Sequence, residues 1–394
     1  MKGNTFLKPI LSTVAVLGMV FAAQAGTRGV SKNEIVVGTH TALSGPVAGW
    51  GIDATNGLRM RFDEANEAGG IHGRKIKYIA EDSQYLVPTA VQKANKLVNR
   101  DKVFFLIGSI GTPHNNAVFS MLEKKNVPNL FPYTAARSMS EPFHKLKFAN
   151  LGTYYANVRS GLKYFVEQKG KKSVCMMYVD TDFGMEVVEG VIDQLKAMNM
   201  KLVAQTSHKA DETNFMGAIT QLRDAKCDLV IMGTIIRDTI IAVSTARKIG
   251  WDVDMVGQTA SCNYMIPLNG GAGVEGFYSV NALPMVYKEQ ASGKALEIFN
   301  KYEKIFNKPF SEVAQHGYVS GDLAVIALQK AGKNLTVNGF IKALESINKY
   351  QHPFGDIILS FGPKKHLAHN ESILYQIKGG KWVNPSGKTE VLTY

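Results

Sequence analysis

The chain has 394 residues, more than one hydrophobic core usually organises, so two domains are expected. With 45% apolar and 20% charged residues it has the composition of an ordinary globular protein, which excludes the disordered and membrane-embedded classes. The formal net charge of +12 comes from lysines scattered one or two at a time, densest at Lys171-Lys172 and Lys364-Lys365, with no basic stripe interleaved with aromatics. It reads as a solvated basic surface that attracts small anions, and no nucleic-acid partner is expected.

The first 25 residues read as a secretory signal peptide. Lys2 and Lys8 precede or flank an apolar run from Ile10 to Ala23, and Ala23-Gln24-Ala25 is a small-x-small site, so cleavage is expected after Ala25. The run is shorter than the roughly 20 apolar residues that span a bilayer. Gly26, not a cysteine, follows the expected cleavage site, which disfavours a lipid anchor. Export removes Lys2 and Lys8, and the mature chain keeps a strong positive balance.

After the signal, Ile35 to Val37 opens a β-branched strand, and the loop Ser44-Gly-Pro-Val-Ala-Gly-Trp50-Gly51 leads into a helix with Leu58, Phe62 and Ala65 at helical spacing. Gly69 and Gly70 close that helix, and Ile76 to Glu81 alternates like a second strand. Such a β-α-β unit implies a parallel sheet, whose ligands bind beyond the carboxyl ends of the strands, where the Ser44 to Gly51 loop lies. A helix face at Val91, Ala94, Leu97 and Val98 follows, then a buried strand Val103 to Gly108, a helix through Leu122 and a strand Val127 to Tyr133. A second series starts near Tyr154: helices at 158–168, 183–198, 215–225 and 239–249 alternate with strands at 173–179, 202–206, 228–233 and 255–257. Strand-like Phe277 to Ala282 and helices at 295–306, 318–330 and 337–344 come next. The chain ends in what reads as an antiparallel pair, Asp356 to Phe361 with Ile373 to Lys378.

The Ser-Gly-Pro-Val-Ala-x-aromatic-Gly loop and Ala68-Gly-Gly-Ile-His-Gly-Arg74 resemble the leucine/isoleucine/valine-binding protein family of bacterial ABC importers, the type I periplasmic binding proteins. The resemblance covers the mature chain, is closest over 34–134 and loosest after 285. It implies an α/β fold of two doubly wound parallel-sheet lobes joined by a three-stranded hinge. The chain would cross between lobes near Asn150, Ala282 and Gly362, giving lobe 1 as 26–150 plus 283–362 and lobe 2 as 151–282 plus 363–394. It also implies a periplasmic, monomeric, non-enzymatic protein with two partners: a small carboxylate ligand and the permease subunits of an ABC transporter at the inner membrane. No cofactor and no metal is expected.

Several residues are candidates for the ligand site. Thr112-Pro113 reads as an N-cap hydroxyl and an N1 proline on a helix leaving a buried strand, where free N–H groups and the helix dipole favour a carboxylate; Ile110 lies in the same loop. The resemblance gives Thr112 that carboxylate contact and places a second hydroxyl in the loop Tyr133-Thr134-Ala135-Ala136-Arg137. There Ala135 takes the family's hydroxyl position, so Thr134 or the charge of Arg137 would replace it. In the second lobe Asp180-Thr-Asp182-Phe183-Gly184 resembles the segment whose aromatic closes over the ligand, with Phe183 in that place and Asp182 as helix N-cap. The family's ammonium contacts are a tyrosine and an acidic residue after successive strands. Here those places fall on Ile235 and Thr259. A buried ammonium without a carboxylate is strongly disfavoured, so the pocket is read as built for an amine-free acid, with Trp50, Tyr133 and Phe183 suiting an aromatic body. An amino acid is the alternative, with Asp238 as its anchor.

Other patterns carry no chemistry. Gly271-Ala-Gly-Val-Glu-Gly276 precedes a strand and so reads as a loop, not a dinucleotide fingerprint. His366 and His369 have no third ligand in view, and Asp252 and Asp254 lie on a loop without an acid-base partner. Of the three cysteines, Cys175 and Cys227 abut apolar strands and are expected as buried thiols, with a bridge between them left open. An exported enzyme or a receptor-docking sensor on the same scaffold are the competing functions. No nucleophile-base set supports the first.

Overall fold

The computed structural model describes Met1, Gly3 and residues 26–394; the signal peptide and its cleavage site otherwise lie outside the described residues. The first sheet is built from β1 (Glu34–Thr41), α1 (Ala48–Glu67), β2 (Lys75–Asp82), α2 (Val87–Asn95), β3 (Leu106–Ile107), α3 (Thr112–Lys124), β4 (Asn129–Leu130) and β5 (Lys147–Phe148). Its five strands are parallel in the order β2-β1-β3-β4-β5. Glu34 faces Lys75 at one end of the β1–β2 register and Thr41 faces Asp82 at the other. The central strand is apolar throughout because helices cover both faces; Val103 to Ile107 is fully buried.

The second sheet starts with α4 (Tyr154–Glu167), β6 (Val174–Val179), α5 (Asp182–Ala197), β7 (Ala204–His208), α6 (Met216–Asp224), β8 (Leu229–Gly233), α7 (Ile236–Lys248), β9 (Asp254–Gly257), α8 (Met265–Gly270) and β10 (Tyr278–Asn281). Then α9 (Gly293–Phe306), α10 (Glu312–Ala331) and α11 (Val337–Glu345) return to the first sheet, where Phe340 stacks on Phe105 at 5.1 Å and Tyr318 donates to Glu64 at 2.8 Å. A small hairpin, β11 (Tyr350–Gln351) and β12 (Ile358–Leu359), precedes β13 (Ser372–Lys378), β14 (Lys381–Val383) and β15 (Val391–Leu392), which complete the second sheet as β14-β13-β10-β9-β8-β6-β7 with β15 beside β13. Strands β10, β9, β8, β6 and β7 are parallel, and β13 to β15 form an antiparallel margin. The architecture is thus α/β with two lobes, one carrying a parallel sheet and the other a mixed one.

Between the sheets, segments of chain run side by side. Ala149 donates to the His366 carbonyl at 2.8 Å and Ala368 donates to the Ala149 carbonyl at 2.9 Å, while the Ala282 N–H is held by Thr259 Oγ1 at 3.0 Å.

Three sequence expectations are corrected. The run Asp356 to Phe361 does not pair with Ile373 to Lys378: β12 folds back on β11, and β13 inserts beside β10 instead. A local turn closes the first pair, whereas the second is a long-range contact that neighbouring apolar runs do not announce. Cys175 and Cys227 are bridged with a Cα–Cα distance of 5.8 Å, because the pairing of β6 with β8 brings the two together; Cys262 is the free, buried thiol. Finally, Gly111 occupies the N-cap of α3 at φ 96°, with Thr112 as the first helical residue, and Thr181 takes the N-cap place expected for Asp182.

Candidate ligand-binding site

A narrow slot opens between the two sheets at the carboxyl ends of their strands. Val47, Trp50, Tyr85, Ile110, Thr112 and Tyr133 line it from one side, Tyr154, Phe183, Ile235, Ile236 and Ala260 from the other. Of the expected residues, Trp50, Ile110, Thr112, Tyr133, Phe183 and Ile235 therefore come together. Thr134 and Ala135 sit just behind the wall: Thr134 Oγ1 lies 2.6 Å from Thr112 Oγ1, and the Ala135 carbonyl accepts from the Tyr154 N–H at 2.7 Å. Thr259 is turned into the second lobe, donating to Asn157 Oδ1 at 2.7 Å, and Arg137 points away from the slot toward α5.

The lining is placed by the starts of helices. Val47 and Trp50 belong to the first turn of α1 or its cap, Gly111 and Thr112 to α3, Tyr154 to α4, Phe183 to α5, and Ile235 and Ile236 to α7. Helices that leave the carboxyl ends of parallel strands must begin there. Their positive dipole ends accordingly face the slot from both sheets, although the first turn of α4 is already capped, with the Tyr154 N–H on the Ala135 carbonyl and the Ala156 N–H on the Thr153 hydroxyl. Gly111 is required where it stands, since a Cβ at its left-handed φ would lie 2.2 Å from His114 Nδ1.

Asp82, at the end of β2, ties two wall loops together. It accepts from the Leu43 N–H at 2.9 Å, the Ser44 hydroxyl at 2.6 Å and the Gln84 N–H at 2.8 Å. The next residues, Gln84 and Tyr85, have φ of 55° and 57°, a left-handed conformation rarely adopted by a bulky side chain. That turn carries the Tyr85 ring onto His114, 4.4 Å between centroids, and into the slot. Across from it Tyr154 meets Phe183 edge-on at 4.8 Å. Burial pushes the Tyr154 phenol up to about 12 and Tyr85 higher still, so both are neutral hydrogen-bonding groups at physiological pH. Sequence reasoning missed both tyrosines. The Tyr133 ring, by contrast, packs against Gly108 and lies edge-on to His316 at 5.5 Å, so it serves the first-lobe interior as well as the wall.

No carboxylate and no basic side chain lines the slot. The nearest acidic residue in sequence to the Ile235 wall, Asp238, is fully buried and already paired: Arg237 donates from Nε and Nη2 to its Oδ1 at 2.9 and 2.8 Å, and His208 Nε2 lies 3.2 Å from its Oδ2. Among the described residues no group of three metal-ligating side chains is assembled, and no helix is long and apolar enough to cross a membrane.

Residues 34–381 match the family model described as periplasmic binding protein. A leucine-, isoleucine-, valine-, threonine- and alanine-binding protein of Pseudomonas aeruginosa is 22% identical over 390 residues, 99% of each chain. Among solved structures, an ABC-transporter solute-binding protein from R. palustris in complex with benzoate superposes with a TM-score of 0.80 at 17% identity, covering 92% of this chain and 98% of that one. A branched-chain amino acid ABC transporter protein from Thermus thermophilus with bound valine gives 0.82 at 16% identity, covering 93% and 98%.

Proposed function

This chain belongs to the periplasmic binding protein family and is a substrate-binding protein of the branched-chain amino acid type of ABC transporter; we propose that its ligand is a small carboxylate with an apolar, aromatic body and no α-amine. One observation carries the reading: five helix N-termini converge on a slot whose lining holds no carboxylate. Anions are stabilised at such a point, and an ammonium buried there would have neither partner nor favourable field. Thr112 Oγ1, backed by Thr134, and the N–H groups of the first turn of α3 are the carboxylate anchor, while Trp50, Tyr85, Tyr154 and Phe183 enclose the body. The R. palustris protein that binds benzoate is a precedent within the same fold.

Capture works by hinge closure, with the crossings near Asn150, Ala282 and Gly362 as the hinge and ligand contacts from both lobes favouring the closed state. The mature protein is periplasmic after cleavage behind Ala25 and delivers its ligand to an inner-membrane permease. An amino acid is the second reading, favoured by the amino-acid specificity in the name of the P. aeruginosa relative and by the valine in the T. thermophilus structure.

A thermal-shift screen of the mature chain tests the choice, since a ligand that binds only the native state raises the melting temperature. Benzoate, 3-phenylpropanoate and aliphatic acids are expected to stabilise it; branched-chain and aromatic amino acids are not. Stabilisation by amino acids alone would replace the proposal by the second reading. For the anchor, Thr112→Val is expected to raise Kd by about 10- to 100-fold, the loss of one hydrogen bond to a charged group, with the melting temperature of the free protein little changed. Titration calorimetry reads it, and unchanged affinity removes Thr112 from the site.

A further inference from the structure

Outside the slot the lobes meet in a polar contact that shares no residue with the aromatic walls. Asn116 of α3 donates to Asp182 Oδ2 at the start of α5, 2.7 Å, and is itself held by the Ser138 hydroxyl at 2.9 Å. Beside it the Arg137 N–H is shared between the two oxygens of Glu186, 3.0 Å to each. The Arg137 guanidinium pairs with Glu189 one turn further along α5, lies 3.8 Å from Glu186 Oε1, and stacks over the Tyr155 ring at 4.0 Å. The Tyr155 hydroxyl is in turn fixed by Asp193, at 2.6 Å. Arg137 and Asn116 belong to the first sheet's connections; Tyr155, Asp182, Glu186, Glu189 and Asp193 belong to α4 and α5 of the second.

Every bond in this set bridges the mouth of the cleft or supports one that does, and none reaches the slot. A hinge motion that separates α3 from α5 must break all the bridging ones together. They therefore stabilise the closed arrangement over the open one, which is the differential interaction a population shift needs. Glu186 is 9% exposed, so its bonds to Arg137 are sheltered, whereas Glu189 is half exposed and weakly coupled to Arg137.

We propose that Arg137 is the latch of lobe closure: gripped by Glu186, Glu189 and Tyr155, it sets how long the closed state lasts without choosing the ligand. The sequence had suggested an anion contact for this arginine. The latch rests on the hinge-closing reading above but not on the identity of the acid.

The test uses the full mature chain spin-labelled through Lys125→Cys and Lys201→Cys, exposed positions on opposite lobes, with and without 3-phenylpropanoate. Arg137→Ala is expected to lengthen the inter-lobe distance distribution in the ligand-free protein. It also raises the 3-phenylpropanoate off-rate by about tenfold, while leaving the rank order of acids unchanged. Arg137→Lys, which keeps the positive charge between Glu186 and Glu189, is expected to recover part of the off-rate, which a merely structural role would not allow, and Glu189→Gln to give a small fraction of the effect. Inter-lobe distances that do not move in Arg137→Ala, in either state, overturn the latch. Distances that lengthen in a protein whose wild type binds none of the acids uphold the latch and refute the ligand assignment instead.

Discussion

Gly57→Ala is expected to destabilise the protein by about 4 kcal/mol, although alanine is normally worth about 1 kcal/mol more than glycine inside a helix. Helices α1 and α10 cross at van der Waals contact through two glycines. A Cβ on Gly57 would stand 2.0 Å from the Ala314 carbonyl oxygen and 2.8 Å from the Tyr318 nitrogen, and one on Gly317 would stand 2.4 Å from the Ala54 carbonyl. These obstacles are backbone, so no rotamer change relieves them. The helices must part, and with them the contacts through which α10 holds the returning segment against the first lobe, including Ser311 to Asp53 at 2.6 Å and Asn150 to Ser320 at 3.0 Å. Chemical denaturation of the first lobe, followed separately from the second, measures the loss. A neutral or stabilising alanine would contradict the close crossing.

Stability is also expected to fall on acidification, by about 3 kcal/mol per pH unit near pH 5, from a maximum near pH 6.5. Burial pushes His40 and His352 down to about 3 and His369 to about 4, and holds His316 well below its usual value. The unfolded chain takes up these protons first as pH falls through 6.5. The stability that neutral histidines allow is therefore complete above that pH and lost below it. Two carboxylates oppose this: burial pushes Glu186 up to about 7 and Glu312 to about 8, so the folded state keeps protons that the unfolded chain releases, and stability declines again as pH rises toward 8. Melting temperatures from pH 4.5 to 8.5 should trace that bell. A flat acid limb would mean the four rings are reached by water.

The β-α alternation was legible because buried parallel strands are apolar on both faces, so Val230-Ile231-Met232 and Phe104-Phe105-Leu106 stand out against amphipathic helices. The pairing of β13 with β10 was not, since it joins Ile373 to Asn281 across most of the returning segment. The disulfide was undecided for the same reason: only the β6–β8 pairing puts Cys175 beside Cys227. In the site, Trp50, Thr112 and Phe183 could be found because helix starts after strands have sequence signals. Tyr85 could not, because its place depends on two consecutive left-handed residues, Gln84 and Tyr85, that carry no glycine to mark them. Tyr154 had a readable signal that the apolar spacing obscured: Thr153 caps α4, its hydroxyl accepting from the Ala156 N–H at 3.1 Å, five residues before the first expected helical position. Arg137 shows the limit of local reading. Its loop leaves the right strand, and only the position of α5 decides that its charge meets Glu186 and Glu189 and not a ligand.

The absence of a carboxylate from the slot wall makes a matched pair of ligands the most direct test. Titration calorimetry of the mature protein with 3-phenylpropanoate and with L-phenylalanine compares two molecules that differ only in the α-amine. Tighter binding of the amine-free acid, by roughly 100-fold or more given the cost of an unpaired buried ammonium, is the predicted result. Equal or tighter binding of phenylalanine would contradict the account and require Asp238 to leave Arg237 and His208 for the ligand.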